Sequence, residues 1–376
     1  MKREQLAEKL RERRSEVMNM KAVTGFDGFV DEMISVVEER QSLSAFRRVE
    51  DISRFSELIA QAAGHSSLRE IVVKAVHPGG CAVNMGDGLA SLGIEVDTFA
   101  TLGRPLHPAF ADYGRKARLH SWAEEPGRTL AFEFADGKLM FSSVSHLAGF
   151  DADHVTGCLE DGAYLETCRQ ASLIAFTNWS LYPWMTEVWE RLEEAVFSEL
   201  THRPWLLVDL VDPSGRPAAE IERMLQVLSG FREWCQPVLG LNRNEANVLC
   251  RATGLTDGEG GELPEQARML RESLNLEQVV VHAQEAAACA TAESTEMVDG
   301  PYCRDPLKST GAGDRFNAGY ALGLMLGLSE REILLLAVAS SGFFVRNAFS
   351  AGLDELARFL VNWEKGMLDD RSMRGP

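Results

Sequence analysis

Several things are missing from this sequence of 376 residues. No apolar run approaches the roughly 20 residues that a helix needs to cross a bilayer. The opening stretch, MKREQLAEKLRERRSEVMNM, is charged throughout and lacks an apolar centre, so it does not read as a signal peptide. Positive charge is not in excess: 38 Lys and Arg face 56 Asp and Glu, a net charge of −18. That balance argues against nucleic acid or an anionic membrane as the main partner. It leaves anionic small molecules open, because a site is local. The seven cysteines show neither metal-ligand spacing nor a disulfide framework, which fits a reducing, cytoplasmic setting. Familiar catalytic signatures are absent as well. There is no G-x-x-x-x-G-K-[ST] P-loop, no H-R-D or D-F-G pair, no G-x-S-x-G and no H-E-x-x-H. No internal repeat or low-complexity segment appears.

What is present is a core and a rhythm. Hydrophobic residues make up 45% of the chain, enough to exclude disorder for its bulk. The length implies one large α/β domain with an insert, or two domains. Short apolar runs at 21–25, 96–102, 171–177, 205–210, 236–241 and 278–282 read as strands. Helical stretches such as 183–199 and 264–274 lie between them. This alternation predicts a mainly parallel sheet flanked by helices on both faces, with ligands beyond the carboxyl ends of the strands. The segment 128–144 alternates apolar and polar residues around Asp136-Gly137 and reads as a hairpin. Two more strands are expected at 29–38 and 69–76, with a helical stretch at 42–64 between them.

Two glycine turns carry the chemistry. Ser309 to Gly319 reads STGAGDRFNAG, a flexible turn entering a helix with Asp314 in its first turn. Peptide N–H groups of such a turn can converge on an anion, helped by the positive end of the helix. An aspartate there can accept a proton. The segment therefore offers an anion cradle and a base, the two parts of phosphoryl transfer to an alcohol. By itself it reads equally well as a glycine turn with a helix-stabilising acid. His77 to Gly93 reads HPGGCAVNMGDGLASLG, a glycine pair entering a small-residue helix with Asn84 in its first turn.

The pattern G-G-x-x-x-N followed by an Ala/Leu-rich run to Leu-Gly resembles the N-terminal signature of the ribokinase-like (PfkB) carbohydrate kinases. The S-T-G-A-G-D segment resembles their C-terminal signature. Both occur in the expected order and spacing, and the Ala/Ser-rich stretch 333–352 is similar to the family's final helices. The resemblance covers the chain from about Val23 onward. It implies a ribokinase-like fold with a small β-sheet lid over a sugar site. Residues 1–20 are expected as a charged helical extension and 21–376 as the kinase domain. Lid segments would lie at about 29–77, including the 42–64 insertion, and at 120–144, where a homodimer contact through the lid is also expected.

The resemblance also distributes roles. Asp314 matches the catalytic base, and a carboxylate at a helix N-terminus is expected to be ionised at neutral pH. Gly311, Ala312 and Gly313, with Thr310, match the anion hole. Asp31 matches the sugar-binding acid, with Asp27 a nearby second candidate; either could instead be a structural turn acid. Gly79, Gly80 and Asn84 would face the sugar. Asn242 and Glu245 form N-x-x-E, which the family uses to organise Mg²⁺ and the nucleotide phosphates; the same spacing suits a helix cap. Lys308 could meet a nucleotide phosphate or sit in solvent. Ser309 replaces an acid that helps hold a monovalent cation in many members, so dependence on such a cation is left open. The stretch VVVHAQEAA at 279–287 has no glycine where the family commonly has a glycine turn beside the nucleotide. The implied activity is ATP-dependent phosphorylation of a sugar hydroxyl. A nucleoside kinase and a non-catalytic sugar or nucleotide sensor are the alternatives.

Overall fold

The computed structural model describes residues 2–256 and 261–369. The C-terminal end of the expected kinase domain, 370–376, therefore lies outside the described residues. The strands are β1 Lys21–Gly25, β2 Phe29–Arg40, β3 Phe46–Arg48, β4 Ile71–Gly79, β5 Glu95–Ala100, β6 Arg118–Ser121, β7 Gly127–Glu133, β8 Lys138–Ser143, β9 Leu173–Thr177, β10 Trp205–Asp209, β11 Gln236–Asn242, β12 Gln278–His282, β13 Ala286–Ala290 and β14 Thr295–Asp299. The main sheet has the order β14-β13-β12-β11-β10-β9-β1-β5-β6. Strands from β6 to β12 along it are parallel, and β13 and β14 close the far edge as an antiparallel hairpin.

The apolar strands are explained by burial on both faces. Side chains alternate across a strand. In β9, Ile174 and Phe176 enter one core while Leu173 and Ala175 enter the other. Leu206 and Val208 of β10, and Val279 and Val281 of β12, go with Ile174; Leu207 and Val280 go with Leu173. A two-sided sheet needs continuous apolar runs, and that is how these segments read.

The second core also takes the N-terminal helix Arg3–Glu12. Its Leu6, Ala7 and Leu10 are fully buried there. Lys9 pairs with Glu332 at 2.5 Å and Arg3 with Glu364 at 3.1 Å. The charged extension is helical as expected, but it is packed into the body because its charges occupy only the outer face.

The small sheet has the order β3-β2-β7-β8, with β4 also on β2. The β7–β8 pair is the expected hairpin. The 42–64 insertion is not helical throughout: it holds β3 and then the helix Ile52–Ala60, capped by Asp51. Gln41 to Ala45 forms a turn instead, with Ser42 Oγ accepting from the Ala45 N–H. Leu58 of the helix packs with Val36, Val49 and Phe134, so the insertion backs the small sheet.

Strand β6 and the β13–β14 hairpin were not expected. The run Ala286–Ala290 is short and small-residued, so it lacks the bulky β-branched signal of the other strands.

Truncating Leu10 to Ala should lower the unfolding free energy by about 2–4 kcal/mol, because a fully buried leucine leaves a cavity. Urea denaturation checks this. A loss below about 0.5 kcal/mol, the usual size for a surface substitution, would show that the N-terminal helix is a dispensable appendage.

Candidate active site

Two helices start together at the carboxyl ends of the strands and pack side by side. They are Cys81–Ser91, entered by the first glycine turn, and Ala312–Met325, entered by the second. Small residues let them approach: a Cβ at Gly88 would lie 2.7 Å from that of Ala318. Gly80 and Gly311 have φ of 96° and 88°, a left-handed region that favours glycine. Their junction brings Asn84 beside Gly311.

Asp27 anchors the first helix. Its carboxylate accepts from the Cys81 and Ala82 N–H groups at 2.7 and 2.8 Å, from the Thr177 hydroxyl at 2.5 Å and from the Asn178 amide at 3.0 Å. Each oxygen has two donors and the residue is fully buried. This corrects the expectation that Asp27 is a candidate for sugar binding: its lone pairs are consumed in holding the turn.

Asp31, two strand residues into β2, is placed differently. Its carboxylate lies over Gly79, where a Cβ would fall 2.5 Å from one oxygen. Burial raises its pKa; a Thr129 hydrogen bond and the charges of Lys308, Lys138 and His77 pull the other way. Gly79 therefore makes room for the acid as well as for any ligand.

Asp314 is 7% exposed. Its pKa is raised to about 7, by burial first and then by the charge of Asp209, with Arg315 opposing. The expectation of a carboxylate well ionised at neutral pH is corrected: removal from water and a neighbouring acid outweigh the helix dipole. Cys81 contacts the same carboxylate, and burial holds its thiol well above the usual range.

Asp209 and Glu245 complete a group of acids. Asp209 ends β10 and accepts from Asn317 Nδ2 at 2.6 Å and from the Val211 N–H at 3.0 Å. Burial is the main cause of its raised pKa. Glu245 is brought to about 8, by burial and then by Asp209. Asn242 and Glu245 form a reciprocal cap: the Asn242 side chain accepts from the Glu245 N–H at 3.0 Å and the Asn242 N–H donates to Glu245 at 2.8 Å. Asn317 Oδ1 is buried without a partner nearby. Uncompensated acids and an orphaned oxygen suit a cation. Among the described residues no three acids, histidines or cysteines come together as a metal cluster.

Beyond the second turn lies a cavity of about 650 Å³, within the range of small-molecule sites. Asn242, the 282–285 corner, the 300–304 loop, Ser309, Gly313 and Gly342 line it. The glycine-free corner therefore borders an open cavity. His282 packs on Phe316 at 4.5 Å beside Gly313, and burial lowers its pKa to about 4, so it is neutral. Thr310 and Ala312 sit in the turn itself. Lys308 is not among the lining residues; it faces Arg315, Lys138 and Asp31.

A family model for prokaryotic ketohexokinase matches residues 2–363. The chain belongs to the prokaryotic ketohexokinase family. A ketohexokinase of Haloferax volcanii is 29% identical over 338 residues, 89% of each chain. An uncharacterised sugar kinase of Escherichia coli is 26% identical over 288 residues, 73% of this chain and 80% of that one. Among solved structures, a carbohydrate kinase from Agrobacterium tumefaciens shares the fold with a TM-score of 0.63 at 16% identity, covering 91% of this chain and 97% of its own. A ribokinase from Thermotoga maritima does so at 0.61, also at 16% identity, covering 91% and 99%. This ketohexokinase-family chain is thus a carbohydrate kinase of ribokinase-like fold. Among its described residues no helix is long and apolar enough to cross a membrane.

The sequence puts Asp209 after a strand, where a site is expected, and reads Cys81 as a packing residue; the contributions of Thr129 and Arg315 it misses. Only Asp209 had a readable signal, an acid closing an apolar strand. The others depend on packing between distant segments.

Replacing Asp27 with Ala should cost this ketohexokinase-family protein about 3 kcal/mol of stability, since buried donors lose a charged acceptor. Chemical denaturation of the purified variant measures it. An unfolding free energy equal to the parent's, with a raised sugar KM, would return Asp27 to the sugar site.

Proposed function

We propose that the protein transfers the γ-phosphoryl group of ATP to a hydroxyl of a ketohexose, with Asp314 as general base and the 310–313 turn as anion hole. One observation carries this reading. The second turn has the cavity and His282 on its Gly313 side, Asn84 on its Gly311 side, and Asp314 at its foot. A donor and an acceptor approaching from opposite sides would meet at the base.

The family description and the relative's name support the sugar class, and the geometry supports the roles. Asp31 and Asn84 would accept and donate hydrogen bonds to sugar hydroxyls, with Gly79 and Gly80 allowing close approach. A carboxylate suits vicinal hydroxyls because it accepts two donors at once. The cavity would take the nucleotide, with Thr310 and the turn N–H groups on its phosphates. Mg²⁺, when bound, supplies charge neutralisation on those phosphates, and Glu245 with Asn242 would hold its hydration shell. Asp314 would accept the hydroxyl proton as the oxygen attacks. The small sheet, backed by the 52–60 helix, would close over the sugar and exclude water. An ADP-release assay across ketohexoses, aldoses and nucleosides with Mg²⁺ and ATP tests the substrate class. Preference for a nucleoside would replace the sugar reading.

Asp314→Asn should lower kcat by about 10²- to 10⁴-fold with sugar binding retained, as loss of a general base does. For the parent protein, kcat/KM should fall as the pH drops through about 7, where Asp314 takes up its proton. A flat profile between pH 6 and 8 (about one unit either side of that pKa) would remove Asp314 from the role.

Asp31→Ala should raise the sugar KM by about 10- to 100-fold, equivalent to a lost charged hydrogen bond, and leave the ATP KM near its parent value. Steady-state kinetics with each substrate varied in turn checks this. Equal changes in both constants would detach Asp31 from the sugar.

A further inference from the structure

Arg315 follows the proposed base and is only 6% exposed. Its side chain runs back toward the start of its own helix, as helical side chains do. The guanidinium ends beside Gly311, where an added Cβ would lie 2.7 Å from Nη1. Nε donates to Ser350 Oγ at 3.0 Å and Nη2 to Asp87 at 3.1 Å. Nη1 has only a 3.4 Å contact with the Gly311 carbonyl. The Phe344 ring packs against the guanidinium at 4.4 Å, and Lys308 Nζ lies 5.7 Å from the centroid of the same ring. Lys138 from the β7–β8 hairpin, with Asp31 and Asp87, makes up the charged surroundings of Lys308.

This arrangement is costly in the free protein. A cation at a helix N-terminus opposes the dipole, and two cations sharing one ring repel. Asp87 answers only part of the charge, because it also binds Lys116 at 2.7 Å. Local electrostatic conflict of this kind marks functional positions. An arriving anion removes it. The anion is not the bound nucleotide, since neither Lys308 nor Arg315 lines the 650 Å³ cavity. They lie on the Gly311 side, with Asn84 and Asp31.

We propose that Arg315 and Lys308 form an anion-binding pair on the acceptor side of the second turn, which takes the oxygens of the phosphoryl group as it arrives on the sugar. The proposal rests on the kinase reading above. The bond from the acceptor oxygen to phosphorus forms while the bond from phosphorus to the β-phosphate oxygen breaks. The hydroxyl proton passes to Asp314 and the leaving oxygen stays with ADP. Arg315, fixed by Asp87 and Ser350, then holds the new phosphate monoester with Lys308. Asp87 and Ser350 are positioning residues.

The test uses Arg315→Met and Lys308→Met in the full chain. Turnover of a ketohexose should fall about 10²-fold and 10-fold, as for lost electrostatic groups aimed at transferring charge, with the ATP KM within about 3-fold of the parent's. Calorimetry supplies a readout without turnover. The phosphorylated ketohexose, titrated into ADP-saturated protein, should bind about 10-fold more weakly to each variant, and the unphosphorylated sugar with unchanged affinity. If Arg315→Met does not fold, Lys308→Met at its half-buried position and Arg315→Lys carry the same comparison. Parental affinity for the phosphorylated sugar in the folded variants would overturn the pair. Inorganic phosphate against ADP-saturated protein separates this failure from failure of the substrate reading. Phosphate binding lost in the variants supports the pair even where ketohexose is not the acceptor. Faster turnover of a sugar phosphate than of the neutral sugar, lost in Lys308→Met, would overturn the assignment to the transferred group and place the anion on the incoming acceptor.

Discussion

The carboxylate of Asp27 ties together the three pieces on which this site is built. It leaves the end of β1, receives two N–H groups at the start of the 81–91 helix, and receives Thr177 and Asn178 from the end of β9. One buried acid thereby fixes the first glycine turn relative to the sheet. The geometry then propagates. The turn places Gly79 beneath Asp31, the helix carries Asn84 to Gly311, and the Gly88 contact sets the second helix against the first. Four donors at the start of a helix satisfy the buried carboxylate. Four committed donors also leave it nothing with which to bind a ligand.

Electrostatics divides the site in two. At the foot of the second turn, Asp209 raises the pKa of both Asp314 and Glu245, and Arg315 opposes this at Asp314. On the Gly311 side, Lys308 and Arg315 lie near Asp31 and Asp87, while Lys138 is paired with Glu133 at 3.2 Å. A cation suits the first half and an anion the second. That polarity runs in the direction in which a phosphoryl group would move, away from a metal-neutralised nucleotide and toward a basic recess.

The strands were legible because a sheet buried on both faces demands unbroken apolar runs, and Lys21–Gly25 and Gln278–His282 lie where those runs predict. The two glycine turns were legible because only glycine suits the backbone at Gly80 and Gly311. Asp27 and Asp31 were not separable by sequence: both are acids within one short loop and strand start, and only the neighbours recruited from β9 and β7 distinguish them. The protonation of Asp314 was misjudged for a related reason. The helix dipole is local and readable, whereas Asp209 lies more than a hundred residues away in sequence and reaches Asp314 only through the fold. Ala286–Ala290 escaped notice because its strand identity comes from pairing with β12 and β14 rather than from its own side chains.

The glycine-free corner at 282–285 shows how a departure from the family pattern is absorbed. A turn without glycine must reverse the chain by other means, and here it does so as the tight β12–β13 connection, closed by the Ala283 N–H donating to the Ala286 carbonyl at 2.8 Å. The His282 ring packs against Phe316, and both rings form part of the cavity wall. Glu285 pairs with Arg243 at 2.9 Å on the outer rim. Small residues, Gly300, Ala312, Gly313 and Gly342, line the cavity together with larger ones such as Tyr302, Arg304 and Phe316. A neutral imidazole beside Gly313 also adds no charge of its own, so the charged groups on the cavity wall are Arg243, Arg304 and Glu285.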